Sequence, residues 1–332
     1  MVKKCICLGV CIATALSLSG CARQDNGLEK LRLNEVVHSV FYAPQYVALE
    51  LGFFEDEGLQ IELDVGQGAD RSMTALISGE ADIALLGIEA GIYVFNEGRE
   101  NFAVPFAQLT QRAGNYLVSR TDDKDFKWDD VIGKSIIGGR PGGMPQMILE
   151  YVLKQNGIKP GDDVEIITNL QFTSTAGAFA GGEGDYTVEF DPSALALEHA
   201  GHGYVVASLG LESGKVPYTV YMATKDYISN NKGTVQRFTN AIYRGQLWVN
   251  EHSAAEIATV IAPQFPDSDL ESLTIMVGRY KAQDTWKNDL IIDEEGFLLI
   301  QDIMEHGGVL SERVPFEGFI NTDFANGAAN MN

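Results

Sequence analysis

The five residues Gly139-Arg140-Pro141-Gly142-Gly143 have the composition of a ligand cradle. Glycines let backbone N–H groups come close to a bound molecule. A helix expected directly after them, opening at Met144, adds free N–H groups and a positive dipole end. Arg140 brings a guanidinium able to hold a carboxylate, sulfonate or phosphate through two bonds, unless it turns to solvent or pairs with a nearby acid. Three acids, Glu89, Glu189 and Asp191, stand where strands are expected to end, placed to accept from amino or ring N–H groups. Each has a plainer alternative as a helix cap or a solvated surface acid. Phe41 and Tyr42 offer rings that could stack on a flat ligand, with core packing the alternative for either. Three carboxylates would repel a simple inorganic anion, so the set suits a nitrogen-bearing, partly aromatic solute better.

Elements that would position these residues follow from the apolar pattern. Strands are expected at 31–37, 59–65, 83–86, 135–138, 164–168, 186–189, 204–207 and 218–224. The second reads Leu-Gln-Ile-Glu-Leu-Asp-Val, the alternation of a half-buried strand. Helices are expected at 44–51, 69–79, 89–97, 144–156, 175–180 and 192–200 between the strands, and beyond Gly233 at 234–252, 254–262, 269–282 and 294–305. Strands joined through helices make an α/β fold with open, mainly parallel sheets. Two such runs and a helical tail predict two lobes. The crossings are placed at 117–121 and 208–218, so that 31–120 and 212–332 form lobe I, with the helical C-terminal part, and 121–211 form an inserted lobe II.

Ligands of open α/β sheets sit beyond the carboxyl ends of the strands. That rule gathers six loops about one cleft, three per lobe, as a hinged binder requires. They carry Phe41, Tyr42 and Gln45; Gln67; Gly87 and Glu89; Arg140, Gly142, Gly143 and Met144; Thr173 and Ser174; and Glu189 and Asp191.

The N-terminus has its own chemistry. Lys3 and Lys4 precede an uncharged run from Cys5 to Leu18, then Ser19-Gly20-Cys21. This is a charged, then apolar, then small-residue leader, too short to cross a bilayer, which takes about 20 residues. With cysteine directly after Ser-Gly, residues 1–20 resemble a bacterial lipoprotein signal peptide. That resemblance implies that Cys21 is acylated, a palmitate-type modification, and becomes the new N-terminus. It implies further that residues 21–30 form a polar tether and that the protein is held on the outer face of the cell membrane. All four cysteines (Cys5, Cys7, Cys11 and Cys21) lie in the leader or at the anchor, so the folded part is expected to have no disulfide, thiol catalysis or cysteine zinc site.

Lysine plus arginine number 24 and aspartate plus glutamate 46, a net charge of −22. Losing the two leader lysines leaves 22 against 46, or −24. Such a balance argues against nucleic acid and anionic headgroups as partners. The five histidines show no metal-ligand spacing, because Gly201 between His199 and His202 argues for a helix end. No cofactor or metal is expected.

Three segments carry a family resemblance. Tyr42-Ala43-Pro44-Gln45-Tyr46-Val47-Ala48 with Leu51-Gly52-Phe53-Phe54-Glu55-Asp56-Glu57-Gly58-Leu59 is the first, Leu76-Ile77-Ser78-Gly79-Glu80-Ala81-Asp82-Ile83-Ala84 the second, and Asp129-Asp130-Val131-Ile132-Gly133-Lys134-Ser135-Ile136 the third. Together they resemble the periplasmic-type binding proteins for nitrate, sulfonates, taurine and thiamine pyrimidine precursors, over roughly 31–324. The resemblance implies a monomeric solute-binding component of an ABC importer that serves a membrane permease and its ATPase. It implies no covalent chemistry. A thiamine-precursor-like pyrimidine is the expected ligand, with sulfonate, taurine or nitrate the alternative. Pyrimidine-precursor synthases share the fold but carry a cysteine-rich motif and a reactive histidine, and no cysteine follows Cys21 here. Neither Gly-x-Ser-x-Gly nor His-Glu-x-x-His occurs. A ligand-sensing subunit would have the same lobes and ligand.

Overall fold

The computed structural model describes residues 27–331, so the leader and Cys21 lie outside the described residues. Among the described residues, ten strands form two five-stranded sheets. The first contains β1 (Glu29–Glu35), β2 (Leu59–Val65), β3 (Ile83–Gly87), β4 (Ala103–Thr110) and β10 (Thr219–Thr224), in the order β2-β1-β3-β10-β4. The second contains β5 (Asn115–Ser119), β6 (Ser135–Ile137), β7 (Glu165–Ile167), β8 (Tyr186–Phe190) and β9 (Tyr204–Ser208), in the order β7-β6-β8-β5-β9. Alternation in β2 sets its register, Leu31 lying opposite Ile61 and Leu33 opposite Leu63 in the parallel ladder. The unbroken apolar run of β3 is buried at every position, as in a strand covered on both faces.

The sheets are mixed rather than purely parallel. In each, the fourth strand runs against its neighbours: β10 is antiparallel to β3 and β4, and β5 to β8 and β9. Both are strands the chain lays down just after changing sheets. This corrects the first expected crossing. Residues 117–121 are no linker, because Leu117 and Val118 are fully buried in β5 between β8 and β9. The chain leaves the first sheet at 111–114, and β5 opens the second. It returns through 209–218. Strands β4 and β5 lack clean alternation because every residue in both is buried, which removes the period-2 signal.

Helices cover both sheets: α1 (Ala43–Glu50), α2 (Ala69–Ser78), α3 (Ile88–Asn96), α4 (Met144–Gln155), α5 (Ser193–His199), and in the C-terminal part α6 (Lys232–Glu251), α7 (Leu270–Ala282) and α8 (Glu294–His306). Side chains of Asp269 and Asp293 cap α7 and α8 by accepting from the N–H of Ser272 and Gly296. Among the described residues no helix is long and apolar enough to cross a membrane. Helix α6 packs on α1 at Gly245, where a β-carbon would lie 2.3 Å from the Pro44 carbonyl oxygen. Backbone cannot swing aside as a side chain can. Gly245→Ala is therefore expected to destabilise the fold by about 1–3 kcal/mol despite alanine's better helix propensity. A thermal melt checks it, and an unchanged or raised midpoint would refute the close contact.

Candidate ligand cleft between the two sheets

The carboxyl ends of β1, β3, β6, β7 and β8 converge on a cavity of about 790 Å³. This size lies within the range of small-molecule sites. Because β10 runs backwards, its beginning faces the same space, and Tyr218 and Thr219 line it. Tyr42 and Tyr93 come from the first lobe, Phe172 and Phe190 from the second, so the walls are largely aromatic and apolar.

Glu89 is the polar centre. It sits in the first turn of α3, 2% exposed, and its Oε2 has no hydrogen-bond partner. Burial pushes its carboxyl up to about 7, against the opposing pull of the N–H groups of Glu89, Met144 and Ala90. The carboxyl folds back over Gly87, where a β-carbon would stand 2.0 Å from Oε2. Glycine at the end of β3 therefore makes room for the acid. Met144 opens α4 in the other lobe and lines the same wall as Glu89.

Two further contacts span the mouth. Arg140 Nη1 and Nη2 donate to Asp70 Oδ1 and Oδ2 at 2.7 and 3.2 Å, and Tyr93 Oη donates to the Gly142 carbonyl at 2.8 Å. The guanidinium beside Asp70 holds that carboxyl below its usual range.

Of the residues expected to bind, the structure brings Tyr42, Gly87, Glu89, Arg140, Gly142, Gly143 and Met144 to the cavity wall. The others are placed elsewhere. Phe41 is fully buried among Tyr42, Phe190, Tyr218 and Tyr280 as core. Gln45 is buried, donating to Glu35 at 2.7 Å and accepting from Tyr221 Oη at 3.0 Å. Gln67 is exposed at φ 57°, and its neighbour Gly68 lines the cavity. Thr173 and Ser174 are exposed in a short 3-10 turn whose first residue, Phe172, points in. Glu189 accepts from Thr187 Oγ1 at 2.8 Å, and burial lifts it to about 7. Asp191 lies off the cavity wall just before α5, its Oδ1 accepting from the Leu195 N–H at 3.0 Å and pairing with Arg279 at 3.4 Å while its Oδ2 has no partner. The wall also contains Tyr93, Phe172, Phe190, Tyr218 and Thr219, which the sequence pattern does not single out; the reversed direction of β10 hides the last two.

Two α/β lobes closing on an aromatic cleft define the class: a two-lobe, periplasmic-binding-protein-like fold. Residues 40–255 match the family model described as "NMT1/THI5 like", and the chain belongs to that family. Over 319 residues it is 42% identical to the "Putative binding protein YtlA" of Bacillus subtilis (strain 168), covering 96% of this chain and 95% of that one. Among solved structures it is similar to the ligand-binding component of an ABC-type import system from Staphylococcus aureus. There the TM-score is 0.72 at 15% identity, over 90% of this chain and 99% of that one. It is also similar to the alkanesulfonate-binding protein SsuA from Xanthomonas axonopodis pv. citri bound to MOPS. That match has a TM-score of 0.69 at 16% identity, over 88% and 97% of the two chains.

Proposed function

We propose that this chain is the extracytoplasmic solute-binding component of an ABC importer. It is anchored by lipid at Cys21 and acts as a monomer, without catalysing a reaction. Its lobes hinge at 111–114 and 209–218, close over a small nitrogen heterocycle, and present it to a permease driven by its ATPase. A pyrimidine of the thiamine-precursor type is the favoured ligand.

The observation that carries this is Glu89: a carboxyl 2% exposed, with an unpartnered oxygen, facing an aromatic cavity. Such a group favours a donor-bearing or cationic partner, because an unpaired buried carboxylate is costly. Rings of Tyr42, Phe190 and Tyr218 supply the apolar faces for a flat molecule, each well-placed pair adding about 0.5–1.5 kcal/mol. Family membership and the likeness to YtlA support a binding role. The sulfonate ligand of SsuA argues for the anion alternative, but Arg140 is already engaged by Asp70 here.

A thermal-shift screen across aminopyrimidines, flavin-type rings, aliphatic amines, sulfonates and nitrate tests the reading. Ring amines are expected to raise the melting point and the anions to leave it unmoved. Stabilisation by sulfonate or nitrate alone would overturn it, and conversion of a ligand during incubation would make the protein an enzyme.

A further inference from the structure

Arg140 is the cation a cleft of this kind would use on an anion, yet both of its terminal nitrogens are engaged. They meet the two oxygens of Asp70, which stands in the first turn of α2 in the opposite lobe. The fit is built into the backbone. At Gly68 the chain takes φ +145°, and a β-carbon there would lie 2.8 Å from both Arg140 Nη1 and Asp70 Oδ1. That φ favours glycine, and the absence of a side chain leaves the pair its room. Tyr93 Oη on the Gly142 carbonyl ties the next helix to the same loop of lobe II. The remaining arginine of the wall, Arg99, is exposed, as is the acid Glu97 on the same wall. With Arg140 matched by Asp70 and Glu89 at the floor, the cavity offers an anion no uncommitted guanidinium in its depth.

We propose that Asp70 is a specificity-determining residue: it clasps Arg140 across the mouth and thereby withholds the guanidinium from sulfonate-type anions. The inference rests on the binding-protein reading and deepens it. A planar carboxylate satisfies the fork of an arginine through two parallel bonds, which is also the geometry a sulfonate would need. The anion must therefore displace Asp70 before it can bind, and the clasp discriminates by occupying the site itself. Closure and selection become one event. A solute that leaves the clasp intact permits the closed cleft, and one that competes for Arg140 opens it.

The test uses the full chain purified in detergent and isothermal titration with ethanesulfonate, at low salt and pH 7.5. Wild type, Asp70→Ala and the double variant Asp70→Ala/Arg140→Gln are compared. Asp70 is a half-exposed surface side chain, and alanine is compatible with its helix. Asp70→Asn serves as the second variant should the first not fold. Removing Asp70 is expected to tighten ethanesulfonate binding at least tenfold, and removing Arg140 as well should return it to the wild-type value. No gain in the single variant, or a gain that survives loss of Arg140, overturns the proposal. The sulfonate comparison uses no ring amine. Failure of every ring amine to bind wild type would therefore end the pyrimidine reading without touching the role of Asp70.

Discussion

Glu89→Gln is expected to weaken binding of a cationic heterocycle at pH 8 by about 1.5–3 kcal/mol, on the order of ten- to 150-fold. Glutamine keeps the shape and one acceptor oxygen but removes the charge, so the loss reads the carboxylate rather than the packing. The pH profile carries more information than the single value. Glu89 titrates at about 7. Wild-type affinity for a ligand of fixed positive charge should therefore fall as pH drops below 7, approaching tenfold per unit, while the variant stays flat. Stability should move the other way. Burial raises this carboxyl from 4.5 to about 7, so the folded state holds its proton more tightly than the unfolded chain. Its contribution is fully present below pH 4.5 and is lost as pH rises through 7, a swing of about 3 kcal/mol. Unliganded Glu89→Gln should consequently match wild type near pH 4 and exceed it at pH 8. Titration calorimetry with a quaternised pyrimidine and thermal melts between pH 4 and 8 measure both effects. Unchanged affinity at pH 8 would remove Glu89 from the site.

Three acids at strand ends look alike in the sequence, and the structure separates them by what lies within a few residues. Glu189 has Thr187 on the same face of β8, and that hydroxyl engages it at 2.8 Å. Asp191 precedes α5, and its Oδ1 accepts from the Leu195 N–H and faces Arg279 while its Oδ2 has no partner. Glu89 also opens a helix, and what sets its unpartnered oxygen apart from that of Asp191 is its place on the cavity wall, where Gly87 leaves room for the carboxyl. The strand-end rule finds Gly87, Glu89 and the Gly139–Gly143 loop, where parallel strands deliver their carboxyl ends to the cleft. It fails at β10, whose amino end is presented instead. No pattern in the chain marks which strand will be reversed, since the reversal comes from the crossing between sheets. The Asp70–Arg140 pair is equally hidden: its partners lie 70 residues apart and meet only across the closed mouth. Aromatic residues divide by neighbourhood as well, Tyr42 reaching the cavity while the adjacent Phe41 packs on Tyr280.

Arg279→Met is expected to cost about 3 kcal/mol of folding stability at pH 8 and markedly less at pH 5. Arg279 lies on α7 of the C-terminal part and reaches into the second lobe, where it pairs with Asp191 at 3.4 Å and with Glu198. The surrounding knot ties the lobes at the back of the cleft. Ser39 Oγ donates to the Asp191 carbonyl at 2.5 Å, and Tyr280 Oη accepts from the Asp191 N–H while donating to the Gly114 carbonyl. Asp191 is fully buried, so deleting its counter-charge leaves a carboxylate in low dielectric, an arrangement that costs about 3–5 kcal/mol. Arg279 retains some exposure, which places the expectation at the lower end. The pH dependence follows from Asp191 itself. Burial already lifts it from 3.8 to about 6 with the arginine present, so its stabilising contribution is present at low pH and disappears as pH rises through 6. Without the guanidinium the carboxyl rises further. At pH 5 it takes a proton and the loss is small, whereas at pH 8 it must ionise unpaired. Urea titrations of wild type and variant at both pH values measure the difference. Adding Asp191→Asn to the variant should recover much of the deficit at pH 8, because a neutral amide removes the stranded charge. An equal loss at pH 5 and pH 8, with no recovery by Asp191→Asn, would mean that Arg279 contributes packing alone.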